Sequence, residues 1–307
     1  MTLGELIAAG QQRLTEAQVA FGHGTTNAYD EAVWLTLWSL GLPLETPVRG
    51  PGSEQNRPVA PEDAERVATL FEARVASRKP AAYLTHEAWL QGVSFYVDER
   101  AIVPRSLIAE VMVDGSIDYW LHSTTQRVLD LCTGNASLAV IAALTYPEVE
   151  VTGADLSPDA LAVARINVDR HELQDRITLV QSDGLRASAL QVHAPFDLIL
   201  CNPPYVNAES MAALPAEYQA EPALALAGGT DGMDFVRTLL AEAPAVMAPG
   251  SVLVLEIGNE RDYFEAAFPS LEVMWLETSA GADQVLVVTR ESLLAVLCNP
   301  KPGTRGK

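Results

Sequence analysis

The hydrophobic positions in the first eighty or so residues recur at the spacing of an α-helix. One apolar stripe, suited to the buried face of a helix, comprises Val67, Leu70, Phe71 and Val75. Asn27 is placed to cap an earlier helix over residues 28–40. Residues 41–58, between these two segments, are rich in Pro and Gly and predict a loop. This part of the chain is therefore predicted to be a small helical domain.

The period of the pattern changes after the helical segments. Residues 88–103 hold two short apolar runs, "AWLQGVSFYV" and "AIVP", which are interrupted by Asp98, Glu99 and Arg100. Short apolar runs around a polar turn favour a β-hairpin. We therefore predict a helical domain over 1–85, a β-hairpin linker over 86–105, a third domain over 106–298 and a disordered tail over 299–307, where Pro, Gly and basic residues collect.

From about residue 127 the pattern alternates between strands and helices. The predicted strands are 127–132, 149–155, 177–183, 196–202 and 251–258, and the predicted helices begin at Ser137, at Pro158 and near 233, the last running to 247. Such alternation is typical of an α/β domain with a parallel, doubly wound sheet. Two further runs, 271–277 and 284–290, lie so close together that at least one terminal pair is expected to be antiparallel.

The composition of the chain argues against several classes of protein. No apolar stretch approaches the ~20 residues that cross a bilayer, and the amino terminus lacks the basic region of a secretion signal, so we expect a cytoplasmic protein without membrane contact. Three cysteines and five histidines, none at ligand spacing, predict no metal site. A formal charge of −20 opposes direct nucleic-acid binding and favours a basic partner, although solubility alone also accounts for such a charge.

Acidic residues end three successive predicted strands. Asp130 and Gly134 stand at the turn into the first helix, Asp155 ends the second strand, and Asp183 ends the third. A carboxylate at the second position can accept both hydroxyls of a ribose, and one at the third can accept an adenine amine. The Gly-x-Gly-x-x-Gly fingerprint of nicotinamide enzymes is absent. The pattern therefore favours S-adenosylmethionine, which has no pyrophosphate.

The fourth strand stops at Asn202, and Pro203, Pro204 and Tyr205 follow. An amide or exocyclic amine nitrogen is a poor nucleophile because its lone pair is delocalised. Acceptance of its two N–H groups by the Asn202 side chain and the Pro203 carbonyl aims that lone pair at a methyl group. The prolines fix the two acceptors in advance, so no reorganisation is needed at reaction. Tyr205 can pack on the planar substrate group or face the sulfonium.

The sequence resembles the glutamine-amide methyltransferases of the translation apparatus over nearly the whole chain, because several motifs occur in the same order. The motifs are "VPRS" (103–106), "VLDLCTG" (128–134), "NPPY" (202–205), "EPALALAGGTDG" (221–232) and "LEIGN" (255–259). The resemblance implies a seven-stranded class I methyltransferase domain that follows a helical substrate-recognition domain and a hairpin. It also implies catalysis by Asn202, Pro203, Pro204 and Tyr205. The cofactor-binding residues that it implies are Asp130, Thr133, Gly134, Asn135, Asp155, Leu156, Asp183, Gly184 and Asn202.

Two branches of this family differ in their target. "PRSLI" at 104–108, "FGHGTTNAYDEA" at 21–32 and "AYLTHEAW" at 82–89 look like the branch that modifies large-subunit ribosomal protein uL3, rather than the release-factor branch. The resemblance thus implies free, basic uL3 as the partner. The chain departs from the family at Asn135-Ala136, where the family usually has Ser-Gly, and this departure concerns the cofactor affinity. It also departs at Leu107 and Cys201, neither of which touches the proposed chemistry.

Three alternatives remain open at this stage. A release factor is the alternative protein target. An adenine-amino methyltransferase uses the same Asn-Pro-Pro-aromatic device, but it needs a basic surface for phosphates. A catalytically silent module that binds a ribosomal component is the alternative outside enzymes. Independently of these, Cys132 and Cys201 end strands that are neighbours in the usual order, so their thiols are predicted to face each other.

Overall fold

The computed structural model describes residues 1–298, so the predicted tail at 299–307 lies outside the described residues. The amino-terminal region is helical, as predicted. Its helices are α1 (Leu3–Glu16), α2 (Ala28–Ser39), α3 (Pro61–Ser77) and α4 (Ala81–Thr85). The Asn27 side chain accepts a hydrogen bond from the Asp30 N–H at 3.0 Å, which confirms the predicted cap of α2.

The helices of this region pack through the predicted stripe of α3. Val67 and Phe71 are buried in one cluster with residues of α1 and α2, and Leu70 and Val75 are partly buried against it. Gly10 of α1 faces the Phe71 ring, and a Cβ at Gly10 would overlap the ring atoms. The glycine therefore lets α1 approach α3 closely enough to bury the aromatic ring.

The predicted hairpin is present, but its strands lie within the first apolar run. β1 (Ala88–Leu90) and β2 (Val93–Phe95) are antiparallel. Gln91 and Gly92 between them have φ values of 49° and 77°, as a tight two-residue turn requires. The prediction that the second run forms a strand is wrong. That run is buried instead, and the Val103 N–H donates to the Glu221 carboxylate at 2.9 Å.

The rest of the described chain is built around a seven-stranded sheet, and this architecture confirms the predicted α/β class. Its strands are β3 (Arg127–Leu131), β4 (Glu150–Asp155), β5 (Ile177–Gln181), β6 (Phe196–Cys201), β7 (Met247–Glu256), β8 (Met274–Thr278) and β9 (Gly281–Thr289). The order is β5-β4-β3-β6-β7-β9-β8. Neighbours from β5 to β7 are parallel, while β9 is antiparallel to both β7 and β8, which confirms the antiparallel terminal pair.

Helices cover both faces of the sheet. They are α5 (Ile108–Val113), α6 (Ser137–Thr145), α7 (Pro158–Arg170), α8 (Ser188–Gln191), α11 (Asp234–Glu242), α12 (Arg261–Ala267) and α13 (Arg290–Cys298), while the short helices α9 (Ala208–Ala213) and α10 (Ala216–Gln219) belong to the segment that follows β6. The predicted starts of α6 and α7 are confirmed. The helix predicted to run to 247 ends at Glu242, because Pro244 cannot continue it and Met247 pairs with Phe196 in the sheet.

The core has two layers, one on each face of the sheet. Along β3, Val128 belongs to one cluster and Leu129 to the other, and the same division recurs at 198/199 of β6 and 252/253 of β7. The chain crosses to opposite sides of β3 to form β4 and β6, which makes the carboxyl ends of β3 and β6 the switch point where such sheets bind ligands. Across residues 1–298, none of the helices has the length and apolarity needed to cross a bilayer.

Candidate active site

Two adjoining cavities lie at the carboxyl ends of β3, β4, β5 and β6. The larger encloses about 830 Å³ of empty space, and its lining includes the predicted residues Gly134, Asp155, Leu156, Asp183, Gly184, Asn202 and Pro204. The smaller is lined by Thr133, Gly134, Asn135 and Asn202, together with Arg105 of the linker and the next residue, Ser106. Gly134 and Asn202 border both cavities, so they mark where the two meet.

The turn between β3 and α6 holds an unusual run of left-handed residues. Cys132, Gly134 and Ala136 have φ values of 61°, 55° and 64°. Ala136 is fully buried and borders neither cavity. Its methyl group therefore lies beneath the turn and takes no space from either cavity. Each non-glycine residue in this conformation costs roughly 1–2 kcal/mol.

Asp130 lies beneath this turn rather than on a cavity wall. Its Oδ2 accepts hydrogen bonds from the Thr133 hydroxyl and from the Ala139 N–H, the latter at 3.0 Å. Burial raises the pKa of Asp130 to about 7, against the opposing effect of these two donors. Asp130 therefore organises the loop that borders the cavity, and the structure does not bring it to the cavity surface with the other predicted residues.

Asp155 borders the larger cavity at the end of β4. Its two oxygens accept the Gly134 N–H at 2.9 Å and the Ser157 N–H at 2.8 Å. Burial raises the pKa of Asp155, and these backbone donors oppose the shift. Each carboxylate oxygen keeps a further lone pair. A ligand diol can therefore be bound without displacing either backbone contact.

The outer wall of the larger cavity combines one exposed carboxylate with apolar side chains. Asp183 is 65% exposed and pairs with Arg186 at 3.3 Å. The apolar wall, which sequence reasoning missed, includes Ile102, Leu224 and Phe235. These residues come from three distant segments, so only tertiary structure brings them together. A flat apolar slot with a carboxylate at its edge suits an adenine ring.

The smaller cavity contains a buried donor that no protein group satisfies. The side-chain amide nitrogen of Asn135 has no hydrogen-bond partner within residues 1–298, although its Oδ1 accepts the Ser137 N–H at 3.0 Å. An unpaired buried donor is costly unless a ligand completes it. Together with the diol and ring sites, this orphaned group fits a nucleoside cofactor that carries a polar, hydrogen-bonding tail.

Asn202 and Pro203 present two unused acceptors where β6 ends. The Asn202 side chain is half-buried, and among the described residues no group bonds to it or to the Pro203 carbonyl. The pairing of Leu131 with Cys201 places Asn202 directly beyond the switch point. Asn202 borders both cavities, whereas Pro203 is buried and borders neither, so acceptance of a substrate N–H by the Pro203 carbonyl stays a prediction.

Tyr205 is held from its hydroxyl end. The hydroxyl donates to Glu256 Oε1 at 3.4 Å, while Glu256 Oε2 accepts from Ser106 Oγ at 2.5 Å and from the Leu107 N–H at 2.9 Å. Burial raises the pKa of Glu256, and the hydrogen bonds from Ser106 and Leu107 oppose the shift. Ser106 belongs to the "VPRS" motif and Glu256 to "LEIGN", so the two motifs meet at the Tyr205 ring.

Glycines form a cradle around Tyr205. A Cβ at Gly258 would lie 2.5 Å from Tyr205 Cε2, and one at Gly228 would lie 2.7 Å from Tyr205 Cα. The next residue, Val206, is fixed by its N–H bond to the Leu226 carbonyl at 2.8 Å. The glycines of the "EPALALAGGTDG" and "LEIGN" motifs therefore have a steric purpose, which is to let backbone close on this tyrosine.

A buried ion pair lies beside the smaller cavity, which is lined in part by Arg105. Arg105 donates to both oxygens of Glu221, at 2.6 Å and 2.8 Å, and His23 Nε2 lies 3.3 Å from the same carboxylate. Burial opposes ionisation of Glu221, but the Arg105 guanidinium and His23 outweigh it and lower its pKa to about 2. Sequence reasoning missed this pair because its members lie 116 residues apart.

The two cysteines end adjacent strands, as predicted. Cys132 and Cys201 are free thiols that contact each other, and burial together with this contact raises the pKa of Cys201. Cys132 borders both cavities, whereas Cys201 is buried beneath them. Within residues 1–298, no cluster of His, Cys, Asp or Glu is arranged to hold a metal ion.

A family model described as methyltransferase small domain matches residues 117–224. Three relatives named ribosomal protein uL3 glutamine methyltransferase align over almost the entire chain. That of Bordetella pertussis is 52% identical and covers 95% of this chain and 96% of its own. That of Burkholderia pseudomallei is 48% identical and covers 96% of each chain. That of Neisseria gonorrhoeae is 44% identical, over 95% of this chain and 96% of its own.

Solved structures support the fold. The crystal structure of the hMettl16 catalytic domain in complex with MAT2A 3'UTR hairpin 6 superposes with a TM-score of 0.51 and covers 75% of this chain and 81% of that one. The complex with MAT2A 3'UTR hairpin 1 also gives a TM-score of 0.51. The sequences are 14% and 16% identical to this chain, so the likeness concerns the fold alone.

Proposed function

This chain belongs to the family of ribosomal protein uL3 glutamine methyltransferases, and we propose that it methylates the side-chain amide nitrogen of a glutamine in uL3. The methyl donor is S-adenosylmethionine, whose sulfonium supplies an electrophilic methyl group. The observation that supports the proposed mechanism is the unpaired Asn202 side chain, which borders both cavities and directly precedes Pro203 in the chain. Two fixed acceptors match the two N–H groups of a primary amide.

In the proposed mechanism, Asn202 Oδ1 accepts one amide N–H and the Pro203 carbonyl accepts the other. This arrangement draws the nitrogen lone pair out of conjugation and aims it at the methyl carbon. The N–C bond forms as the S–C bond breaks, and the nitrogen then loses a proton, which is acidic enough to leave without a general base. Tyr205, held by Glu256, packs beside the planar amide and restricts its orientation. Positioning of this kind lowers the barrier without a reorganisation cost at the moment of reaction.

The larger cavity holds the cofactor in this proposal. Asp155 accepts the two ribose hydroxyls, and Asp183 accepts the adenine amine at the outer wall. Asn135 and Thr133 border the smaller cavity, where the unpaired Asn135 amide meets the polar tail of the cofactor. Asp130 contributes indirectly, through the turn that it holds.

The proposed substrate is free uL3 rather than uL3 in an assembled subunit. A chain with a formal charge of −20 attracts a basic protein before RNA covers it, and RNA phosphates repel the same chain. We therefore propose no direct nucleic-acid contact. The association rate with free uL3 should fall steeply between roughly 50 and 300 mM salt, as screening shortens the range of attraction.

The test is methyl transfer to purified uL3, followed by intact-mass measurement. A gain of about 14 Da that requires both enzyme and S-adenosylmethionine supports the proposal. A release factor assayed under the same conditions is the control substrate, and it should react much more slowly. Equal or faster methylation of the release factor would overturn the target assignment. Activity confined to mature subunits would overturn the electrostatic argument for the free protein.

A further inference from the structure

A second groove lies in the helical domain, apart from the catalytic cavities. It is an open groove of about 1050 Å³, with its solvent-open part included, and its lining includes Tyr29, Asp30, Trp34, Val48, Arg49 and Trp89. These residues come from α2, from the 41–58 loop and from β1. We call this feature the aromatic groove, because three of the six side chains named are aromatic.

Two sequence signatures that the chemistry leaves unexplained meet in the aromatic groove. The segment 21–32 supplies Tyr29 and Asp30, and the segment 82–89 supplies Trp89. Trp89 is 43% exposed, yet its indole N–H donates to Glu87 at 2.8 Å, so the ring is held in place at the surface. An exposed aromatic ring with a fixed orientation is suited to binding another polypeptide.

The contacts inside the aromatic groove indicate which chemistry it accepts. The guanidinium of Arg49 lies over the Tyr29 ring, 3.3 Å from the centroid, so one face of that ring is covered by the chain's own cation and the exposed Trp89 ring is left for a ligand. Asp30 adds an exposed carboxylate at the edge. The exposed Trp89 ring and the Asp30 carboxylate together suit an extended basic peptide.

The aromatic groove is continuous with the catalytic site through one short loop. Gly24 and Thr25 line the groove, and the preceding residue, His23, packs against Tyr218 with ring centroids 4.2 Å apart and ring planes tilted by 50°. His23 also contacts Glu221, whose partner Arg105 borders the cavity that contains Asn202. A polypeptide in the groove can therefore lead toward the acceptor site.

We infer that the aromatic groove binds a basic, extended segment of uL3 adjacent to the acceptor glutamine. This inference rests on the proposed function for the identity of the substrate. The net charge of −20 complements such a segment, and the aromatic rings give it a local anchor that general electrostatic attraction lacks.

The experiment compares Trp89→Ala and Tyr29→Ala with a matched control, Trp38→Ala. Trp38 is a similarly exposed tryptophan of α2, at 37%, that does not line the groove. The two groove variants should raise the KM for uL3 about 10-fold or more, as loss of an aromatic anchor does. Their kcat should stay within about 2-fold of the wild-type value, since uniform binding alone is lost. The control should leave both constants unchanged.

Direct binding separates this inference from the proposed function. Labelled uL3 titrated into enzyme loaded with S-adenosylhomocysteine should bind about 10-fold more weakly to the groove variants, whether or not methyl transfer is observed. Asp30→Lys, which changes an exposed side chain, should also weaken uL3 binding. It replaces an aromatic variant in the experiment if that variant does not fold. Unchanged uL3 affinity in the folded variants, or an equal loss in Trp38→Ala, would overturn the inference. Absence of methyl transfer by the wild-type enzyme would instead overturn the proposed function.

Discussion

Replacement of Gly258 by alanine tests whether the position of the Tyr205 ring matters for catalysis. The added Cβ would lie 2.5 Å from Tyr205 Cε2 and 3.0 Å from Cζ, while ordinary contact begins at 3.4 Å. The ring must therefore move by about 1 Å, away from its hydrogen bond with Glu256. A misplacement of this size lowers kcat by roughly 100-fold, which corresponds to about 2.7 kcal/mol of transition-state stabilisation.

The affinity for the cofactor should change little in Gly258→Ala, because Tyr205 borders neither of the two cavities. Single-turnover methylation of uL3 measures the chemical step, and calorimetry with S-adenosylhomocysteine measures cofactor binding. The expected pattern is a large loss in the first measurement and a near-constant Kd in the second.

Gly250→Ala is a matched control for backbone strain. Gly258 and Gly250 both have positive φ, 53° and 77°, so each alanine costs roughly 1–2 kcal/mol of folding free energy. A Cβ at Gly250 meets nothing within 4 Å, so this variant carries the backbone penalty without pressure on the tyrosine. Similar kcat values for the two variants would refute the idea that the glycine cradle positions Tyr205.

Four further changes test other parts of the site. Asn202→Ala should lower kcat by roughly 100-fold or more and leave cofactor binding intact; turnover within a few-fold of wild type would remove its assigned role. Asp155→Ala should weaken S-adenosylhomocysteine by about 1–3 kcal/mol in calorimetry, and an unchanged Kd would exclude it from the site. Ala136→Gly should raise the melting temperature or leave it unchanged, because it relieves a left-handed alanine, and should leave cofactor affinity equal or tighter; a loss in either would show that the turn depends on the methyl group. Glu221→Gln should lower unfolding free energy at pH 7 by about 3–5 kcal/mol. The lowered pKa of Glu221 stabilises the wild type above about 4.5, so denaturation titrations should show this difference shrinking as the pH falls from about 4.5 toward about 2.

The local hydrophobic pattern was enough to predict most strands of the sheet and many residues of the larger cavity. The strands at 127–132, 149–155 and 196–202 are largely apolar and buried on both faces, so their positions could be predicted, whereas the edge strand at 177–183 mixes buried and exposed residues. Because parallel strands end at one edge, residues at these ends, such as Asp155, Asp183 and Asn202, could also be predicted to converge. They do so in the structure.

The parts that could not be predicted depend on contacts between distant segments. Asp130 follows the strand-end rule as well as Asp155 does, yet the left-handed turn at Cys132 and Gly134 folds over it and removes it from the cavity surface. The hairpin strands were predicted too broadly, because both apolar runs looked suitable. Burial of Val103 against Glu221 decides against the second run, and that contact spans 118 residues.

Buried ion pairs connect residues on the two sides of the predicted boundary between the helical domain and the catalytic domain. Glu217 and Glu221 follow the "NPPY" motif in the chain, and each is bound by arginines from before the sheet. Glu217 contacts Arg74 at 3.3 Å and Arg78 at 2.9 Å, and Glu221 is held by Arg105 of the linker. Loss of one partner of a buried pair costs about 3–5 kcal/mol, so these contacts tie the segment that holds Glu217 and Glu221 to the helical domain and the linker. The predicted boundary therefore separates parts of the chain that share buried ion pairs.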